Sequence, residues 1–271
     1  MPSKSFVVET IKRNQIVEAL SKGKRLDGRA LNESRKLEIK THVIEKANGS
    51  AMVTLGNTQV LAGVKIDKGI PFPDTPDKGL LIVGAEVLPM AAAYLEAGPP
   101  DESAIELARV VDRGVRESEM IDVGSLVIKA GKWVYSVFVD VNILNVDGNL
   151  FDATSYAVVA ALLTAKMPKF ILENDAVKDT GERLPLPVHK IPVSVTIANI
   201  NNMLVLDPTE EEEAVMDARI TLDTEDEGNL CAGQKGEPGS FTWEQILTAA
   251  EWSIARGKEV RQQLKEAAAH A

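Results

Sequence analysis

The 271-residue sequence predicts an α+β fold of two related lobes, each running through several strands before closing on a helix. Three observations predict it. Apolar residues alternate with polar ones in short runs separated by Asn-Gly, Gly-Asn and Asp-Gly turns, the pattern of half-buried antiparallel strands. Two long segments have helical spacing and capping residues at their starts. The strands-then-helix order occurs twice, on either side of a polar stretch.

The elements follow in order. Residues 1–30 are read as an N-terminal helix and a basic loop. Thr10 to Ser21 is an amphipathic helix presenting Ile11, Val17 and Leu20, with Gly23 as its stop. The loop Lys24-Arg25-Leu26-Asp27-Gly28-Arg29 turns at Asp-Gly. The first lobe spans 31–168. Leu37, Ile39, Thr41 and Val43 alternate as a strand, and Asn48-Gly49 and Gly56-Asn57 bound the strands Ser50–Leu55 and Thr58–Ile66. Pro71, Pro73 and Pro76 make an irregular loop before the strand Leu80–Leu88. After Pro99-Pro100 a helix runs to about Ser118, capped by Asp101 or by Ser103 in a Ser103-x-x-Glu106 capping box. Trp133–Ile143 is a strand, and Asp152–Lys166 is a nearly all-apolar helix that belongs between layers and ends at Pro168.

Residues 169–187, polar and rich in Asp and Glu, are read as the linker, and 188–271 as the second lobe. There, strands are expected at Ile191–Ile197, Met203–Leu206, Ala218–Leu222 and Asn229–Ala232. A long final helix opens at a Thr242-x-x-Gln245 capping box.

Composition narrows the function classes. The chain is 45% hydrophobic and 26% charged, an ordinary globular balance. No apolar run approaches the roughly 20 residues of a membrane helix, and Met1 to Glu9 lacks a secretory pattern. Cys231 stands alone, so neither an internal disulfide nor a zinc cluster is expected. A reducing, cytoplasmic location follows as the expectation, with no membrane partner. The net charge of −10 argues against a broadly basic nucleic-acid coat. Local basic patches remain open, because screening confines exposed charge to about 10 Å at 0.1 M salt.

One such patch is legible. On the helix Ser103–Ser118, Arg109, Arg113 and Arg116 fall at about 0°, 40° and −20°, a single stripe. Ala104, Leu107, Ala108, Val111 and Val115 occupy the opposite face. Guanidinium groups at this spacing can track a phosphodiester backbone, since each fork matches phosphate oxygens. Glu106 and Asp112 are placed to neutralise Arg109 and Arg116 within the helix. On the residues alone, that ion-paired face is favoured somewhat over a phosphate site. The run Glu210–Glu213 with Asp217 is the best candidate for a divalent ion or general-acid work, but four successive glutamates read more simply as a solvated loop. There is no GxGxxG and no GxxxxGK(S/T), and His42, His189 and His270 lack metal spacing. No cofactor and no metal site is expected, and Cys231 reads as a packed thiol.

Several motifs together resemble a family. Arg25-Leu26-Asp27-Gly28-Arg29, Asn48-Gly49-Ser50-Ala51 and Val53-x-Leu55-Gly56-Asn57-Thr58 look like the N-terminal half of RNase PH-like proteins. Gly98-Pro99-Pro100-Asp101-Glu102 and the stretch from Glu106 to Arg113 resemble, more particularly, the non-catalytic RNase PH-like subunits of the archaeal exosome. The resemblance extends from about Leu20 to the final helix. It implies the two-lobed RNase PH-like fold and a hexameric ring of three heterodimers with a catalytic paralogue. It also implies phosphorolysis of single-stranded RNA from the 3′ end and a cap of S1-domain RNA-binding subunits.

Active family members carry a glycine–serine/threonine-rich phosphate loop, often ending in arginine, after the strand that here ends near Val146. This chain has Asp147-Gly148-Asn149-Leu150-Phe151 instead. Phosphate is the attacking group, so losing its cradle removes positioning and charge neutralisation. Active members also place two aspartates after a Leu-Asp strand end; here Leu206-Asp207 is followed by Glu213 and Asp217 at shorter spacing. The resemblance therefore implies a subunit without catalytic residues, with Arg109, Arg113 and Arg116 lining the RNA path. Two alternatives stand beside it: an active phosphorolytic nuclease using Glu213 and Asp217, and an architectural spacer without RNA contact.

Overall fold

The alternating runs become a six-stranded sheet in the computed structural model, which describes residues 6–93, 98–173 and 176–269. Strands β1 (Leu37–Thr41), β2 (Gly49–Leu55) and β3 (Thr58–Gly69) form an antiparallel meander. The long β6 (Trp133–Asn145) joins β3, and β4 (Leu80–Val87) pairs parallel to β6 as the edge, giving the order β1-β2-β3-β6-β4. The short β5 (Val127–Lys129) pairs β6 outside this path and has no counterpart among the expected strands. The second lobe is a four-stranded antiparallel sheet ordered β10-β9-β11-β12, from β9 (Val193–Ile200), β10 (Met203–Leu206), β11 (Ala218–Thr224) and β12 (Leu230–Gly236).

The helices complete the layers. α3 (Leu150–Leu163) packs on β2 and β3 of the first sheet and on β9 of the second, so it is buried nearly all round, as its unbroken apolar sequence requires. At Gly49 a Cβ would stand 2.3 Å from the Ala161 carbonyl oxygen, so only glycine lets β2 approach α3 this closely. Helix α5 (Trp243–Ala269) covers β9 and β11, and Thr242 and Gln245 exchange the two bonds of the expected capping box, at 2.8 and 3.2 Å. Helix α2 (Glu102–Glu117) lies against the edge strand β4 and reaches β12.

Several elements differ from their expected form, each for a local reason. In α1 (Phe6–Ser21) Ile16 and Leu20 are buried against Ala198, Ile200, Val205 and Val215, whereas Ile11 is exposed. The helix therefore turns a face centred on Ile16 to the second sheet. Asp101, not Ser103, caps α2, its carboxylate accepting from the Ala104 N–H at 2.8 Å. The buried face of α2 includes Val110 and Gly114, and Ala108 is only half-buried. Helix α3 ends at Leu163, before Pro168, because the chain enters a strand at Lys166. The polar segment 169–187 is largely regular: β7 (Lys166–Glu173) and β8 (Ala176–Pro185) pair antiparallel. Tyr135 stacks on Phe170 there, with ring centroids 5.2 Å apart. Polar side chains suit this pairing because both faces are largely in solvent.

The acidic run is also ordered. Glu210–Glu213 forms the single turn α4, capped by Thr209 in a full capping box with Glu212. It is not a solvated loop: Glu212 is buried.

Candidate functional site

Two regions concentrate charge in unusual settings: the outer face of α2 and the N-terminus of α3. The first is built by amphipathicity. With Ala104, Leu107, Val111 and Val115 buried, Arg109, Arg113 and Arg116 are all exposed on one face. They line a groove of about 610 Å³ whose other wall is β4, from Leu81 to Ala85.

Their partners are unequal. Arg116 binds both oxygens of Asp112, at 2.8 and 3.1 Å, and its Nη2 donates to the Leu81 carbonyl at 2.9 Å. Arg113 donates to Gln234 on β12 at 3.1 Å, and the buried Asp223 carboxylate lies against Gly114 beneath it. Among the described residues the Arg109 side chain has no hydrogen-bond or ion-pair partner. Its expected neighbour Glu106 is bonded instead to Arg219 of β11 at 3.0 Å. The expected intrahelical neutralisation therefore holds for Arg116 and fails for Arg109.

The second region begins at the turn 147–149. Gly148 has φ +79°, and a Cβ there would stand 2.4–2.7 Å from backbone atoms of Pro208, Thr209 and Glu210. Only glycine permits this approach, which clamps α4 against the start of α3. Asn149, also left-handed at φ 51°, caps α3 through its side chain. Arg25 of the basic loop, buried beneath α4, forms a bidentate pair with Glu212 and also donates to the Leu206 and Asp207 carbonyls. With Glu212 held from that side, the next residue faces the opposite way, and Glu213 Oε1 accepts the Asn149 backbone N–H at 2.8 Å.

A buried polar network completes this end of the helix. Asp207 accepts from Arg35 Nη2 and Nε at 2.7 and 3.0 Å, from the Arg35 N–H at 2.8 Å and from Asn149 Nδ2 at 2.7 Å. Burial alone would raise its carboxyl, but the Arg35 guanidinium and these donors hold it below the ordinary value. Burial wins at the two neighbouring carboxyls. Asp152 is pushed up to about 7 despite donors from Asn149 and Thr196. Glu213 is pushed up to about 7 against the Asn149 N–H and the charges of Arg219 and Arg35, with Asp207 adding to the rise. Arg219 stacks its guanidinium 4.0 Å over the Phe151 ring.

Chemically, this end of α3 holds an internal carboxyl group at a helix terminus whose backbone donors could otherwise serve an external anion. Leu150 and Phe151 contribute no side-chain donor, as the sequence indicates, yet the backbone donor of Asn149 is present and already engaged. Glu213 and Asp217 do not converge. Asp217 accepts from Arg13 at 2.8 Å and from the Asn201 N–H at 2.6 Å, away from the Glu213 bond to Asn149. Among the described residues no group of three or more His, Cys, Asp or Glu side chains is placed to hold a metal. Cys231 is half-buried, its thiol pushed up to about 11 by burial and by the Asp223 charge. No described helix is long and apolar enough to cross a membrane. Sequence reading missed Arg35, Asp152 and Arg219, none of which sits in a recognisable motif; the network assembles them from three separate segments.

Comparison with known proteins agrees along the whole chain. The model of the 3′ exoribonuclease family matches at residues 33–168 for its domain 1 and 190–256 for its domain 2. The exosome complex component Rrp42 of Thermococcus kodakarensis is 48% identical over 271 residues, covering 99% of this chain and all of the relative. That of Thermoplasma acidophilum is 48% identical over 256 residues, covering 94% and 96%. A chain of the Archaeoglobus fulgidus exosome with RNA bound to the active site superposes with a TM-score of 0.87 at 44% identity, over 95% of this chain and 99% of that one. Rice Rrp46, at 18% identity and a TM-score of 0.69, shares the fold over 90% of this chain and all of its own. With both domain models matched in sequence order and relatives of near-equal length at almost half identity, this chain belongs to the 3′ exoribonuclease family.

Proposed function

We propose that this chain is a non-catalytic subunit of an RNA-degrading ring, gripping single-stranded RNA while a catalytic RNase PH-like paralogue performs 3′-to-5′ phosphorolysis. The ring is a hexamer of three heterodimers in the cytoplasm, capped by S1-domain subunits. The full-length relatives named as exosome components, and the related exosome structure that holds RNA, support this reading.

The observation that carries it is the exposed arginine face of α2, on which Arg109 is left free because Glu106 serves Arg219. Arg109 and Arg113 are the principal phosphate contacts. Arg116 belongs to the same face, with much of its donor capacity already committed to Asp112 and Leu81. A net charge of −10 beside the cationic face of α2 concentrates RNA attraction where it is used. The active-nuclease alternative is disfavoured by the separate engagement of Glu213 and Asp217.

The test is reconstitution with the catalytic paralogue. RNA affinity measured against salt should fall for Arg113→Glu and Arg109→Glu, with the logarithmic salt slope flattening by about one unit per lost phosphate contact. Unchanged slopes and affinities would favour the architectural spacer. Phosphate-dependent shortening of polyadenylate by the isolated chain would favour the active nuclease.

A further inference from the structure

The N-terminus of α3 carries a carboxyl group of its own. Four positive features converge on its first turn. The Asn149 N–H is bonded to Glu213. The N–H groups of Leu150 and Phe151 have, by helix geometry, no acceptor within the helix. Arg219 is 8% exposed, has an unpartnered Nε among the described residues, and lies over the ring of Phe151. The fourth is Arg35, whose guanidinium donates to the Asp147 and Gly148 carbonyls of the same turn at 2.6 and 3.2 Å. Backbone donors, a helix dipole and two guanidinium groups make a setting suited to a tetrahedral oxyanion.

We infer that the Glu213 carboxyl group is the resident occupant of this terminus and closes it to inorganic phosphate, so that phosphate is excluded by an occupant and not simply by missing donors. The inference rests on the reading of this chain as non-catalytic and supplies a physical reason for it. The turn that carries the occupant is held in place from behind: Arg25 locks Glu212, and Gly148 sets the chain against α4. The charged groups facing Glu213 are Arg35 from the segment before β1, Arg219 from β11 and Asp207 from the loop after β10. Asp152 of α3 shares the Asn149 side chain with Asp207. Removing the Glu213 carboxylate leaves Asn149, Leu150 and Phe151 N–H groups under two arginines.

The experiment uses the full chain and inorganic phosphate. Thermal unfolding of the Glu213→Ala variant should show a melting temperature that climbs with phosphate, by about 5 °C at a hundredfold excess over the dissociation constant. The wild-type chain should give a flat titration. A flat Glu213→Ala titration, or a wild-type rise of equal size, overturns the inference. If that variant does not fold, the wild-type chain supplies the second readout. The amide resonance of Asn149 should stay in place as inorganic phosphate is added, and a saturable shift overturns the inference equally. Either failure leaves the arginine-face prediction untouched, because that is read from RNA affinity of the assembled ring.

Discussion

Glu106 is bonded to Arg219 across the lobes at 3.0 Å, although Arg109 lies three residues away on its own helix. The pair ties α2 to β11 and leaves the Arg109 guanidinium in solvent. Glu106→Ala should therefore cost stability, about 1–2 kcal/mol, because Arg219 is nearly buried and loses the carboxylate it is bonded to. Arg109→Ala should cost less than about 0.5 kcal/mol yet weaken RNA binding by the assembled ring. Urea unfolding and RNA affinity measured on both variants separate the two roles.

Arg116 is the arginine of the stripe with the most internal work. It pairs with Asp112 and donates to Leu81 of the edge strand. Arg116→Ala is expected to lower stability by about 0.5–1 kcal/mol, as a half-exposed pair with one backbone bond allows. Its effect on RNA affinity should be smaller than that of Arg109→Ala. An equal or larger effect at low salt would show that its phosphate contact survives the internal bonds.

Arg25 and Glu212 form a pair buried on both sides, with side-chain exposures of 0% and 6%. Glu212→Ala strands the Arg25 charge and should destabilise by about 3–5 kcal/mol. It also releases α4, which carries Glu213. Denaturant unfolding monitored by circular dichroism gives the magnitude, and a loss below about 1 kcal/mol would contradict a closed site around Arg25.

Asp223, buried behind α2, has its carboxyl pushed up to about 6 by burial, against the Ser194 hydroxyl bond and the charge of Arg113. Unfolded, it titrates near its ordinary 3.8. Between these values the folded chain holds a proton that the unfolded chain has released, so this group's contribution is present below about pH 4. It is lost as pH rises through about 6. The Asp223→Asn variant removes that slope. Its stability relative to wild type should improve by up to about 3 kcal/mol between pH 4 and 7. A constant difference across that range would show that Asp223 titrates normally.

Much of the architecture was legible in the amino-acid order. Alternation and Asx-Gly turns located β1, β2, β3, β10 and β11 to within a few residues, and Asp101 and Thr242 marked two helix starts. The arginine stripe followed from helical spacing alone, because a helix places residues three and four apart on one face whatever surrounds it. The motifs at Arg25–Arg29 and Gly98–Arg113 carried the family resemblance because they are contiguous in sequence.

What needed the tertiary structure is the choice among partners. Local spacing offered Glu106 to Arg109, but Arg219 offered Glu106 a drier pair, and electrostatic attraction strengthens as water is excluded. Four glutamates read as a solvated run until Arg25 and the α3 terminus met them from two sides. Neither residue is near them in sequence, with 187 positions separating Arg25 from Glu212 and 64 separating Asn149 from Glu213. The linear order therefore determined the elements and their exposed charges, since these depend on periods of a few residues. Folding alone decided which charges are free and which are consumed, since that depends on desolvation and on contacts between segments far apart in the chain.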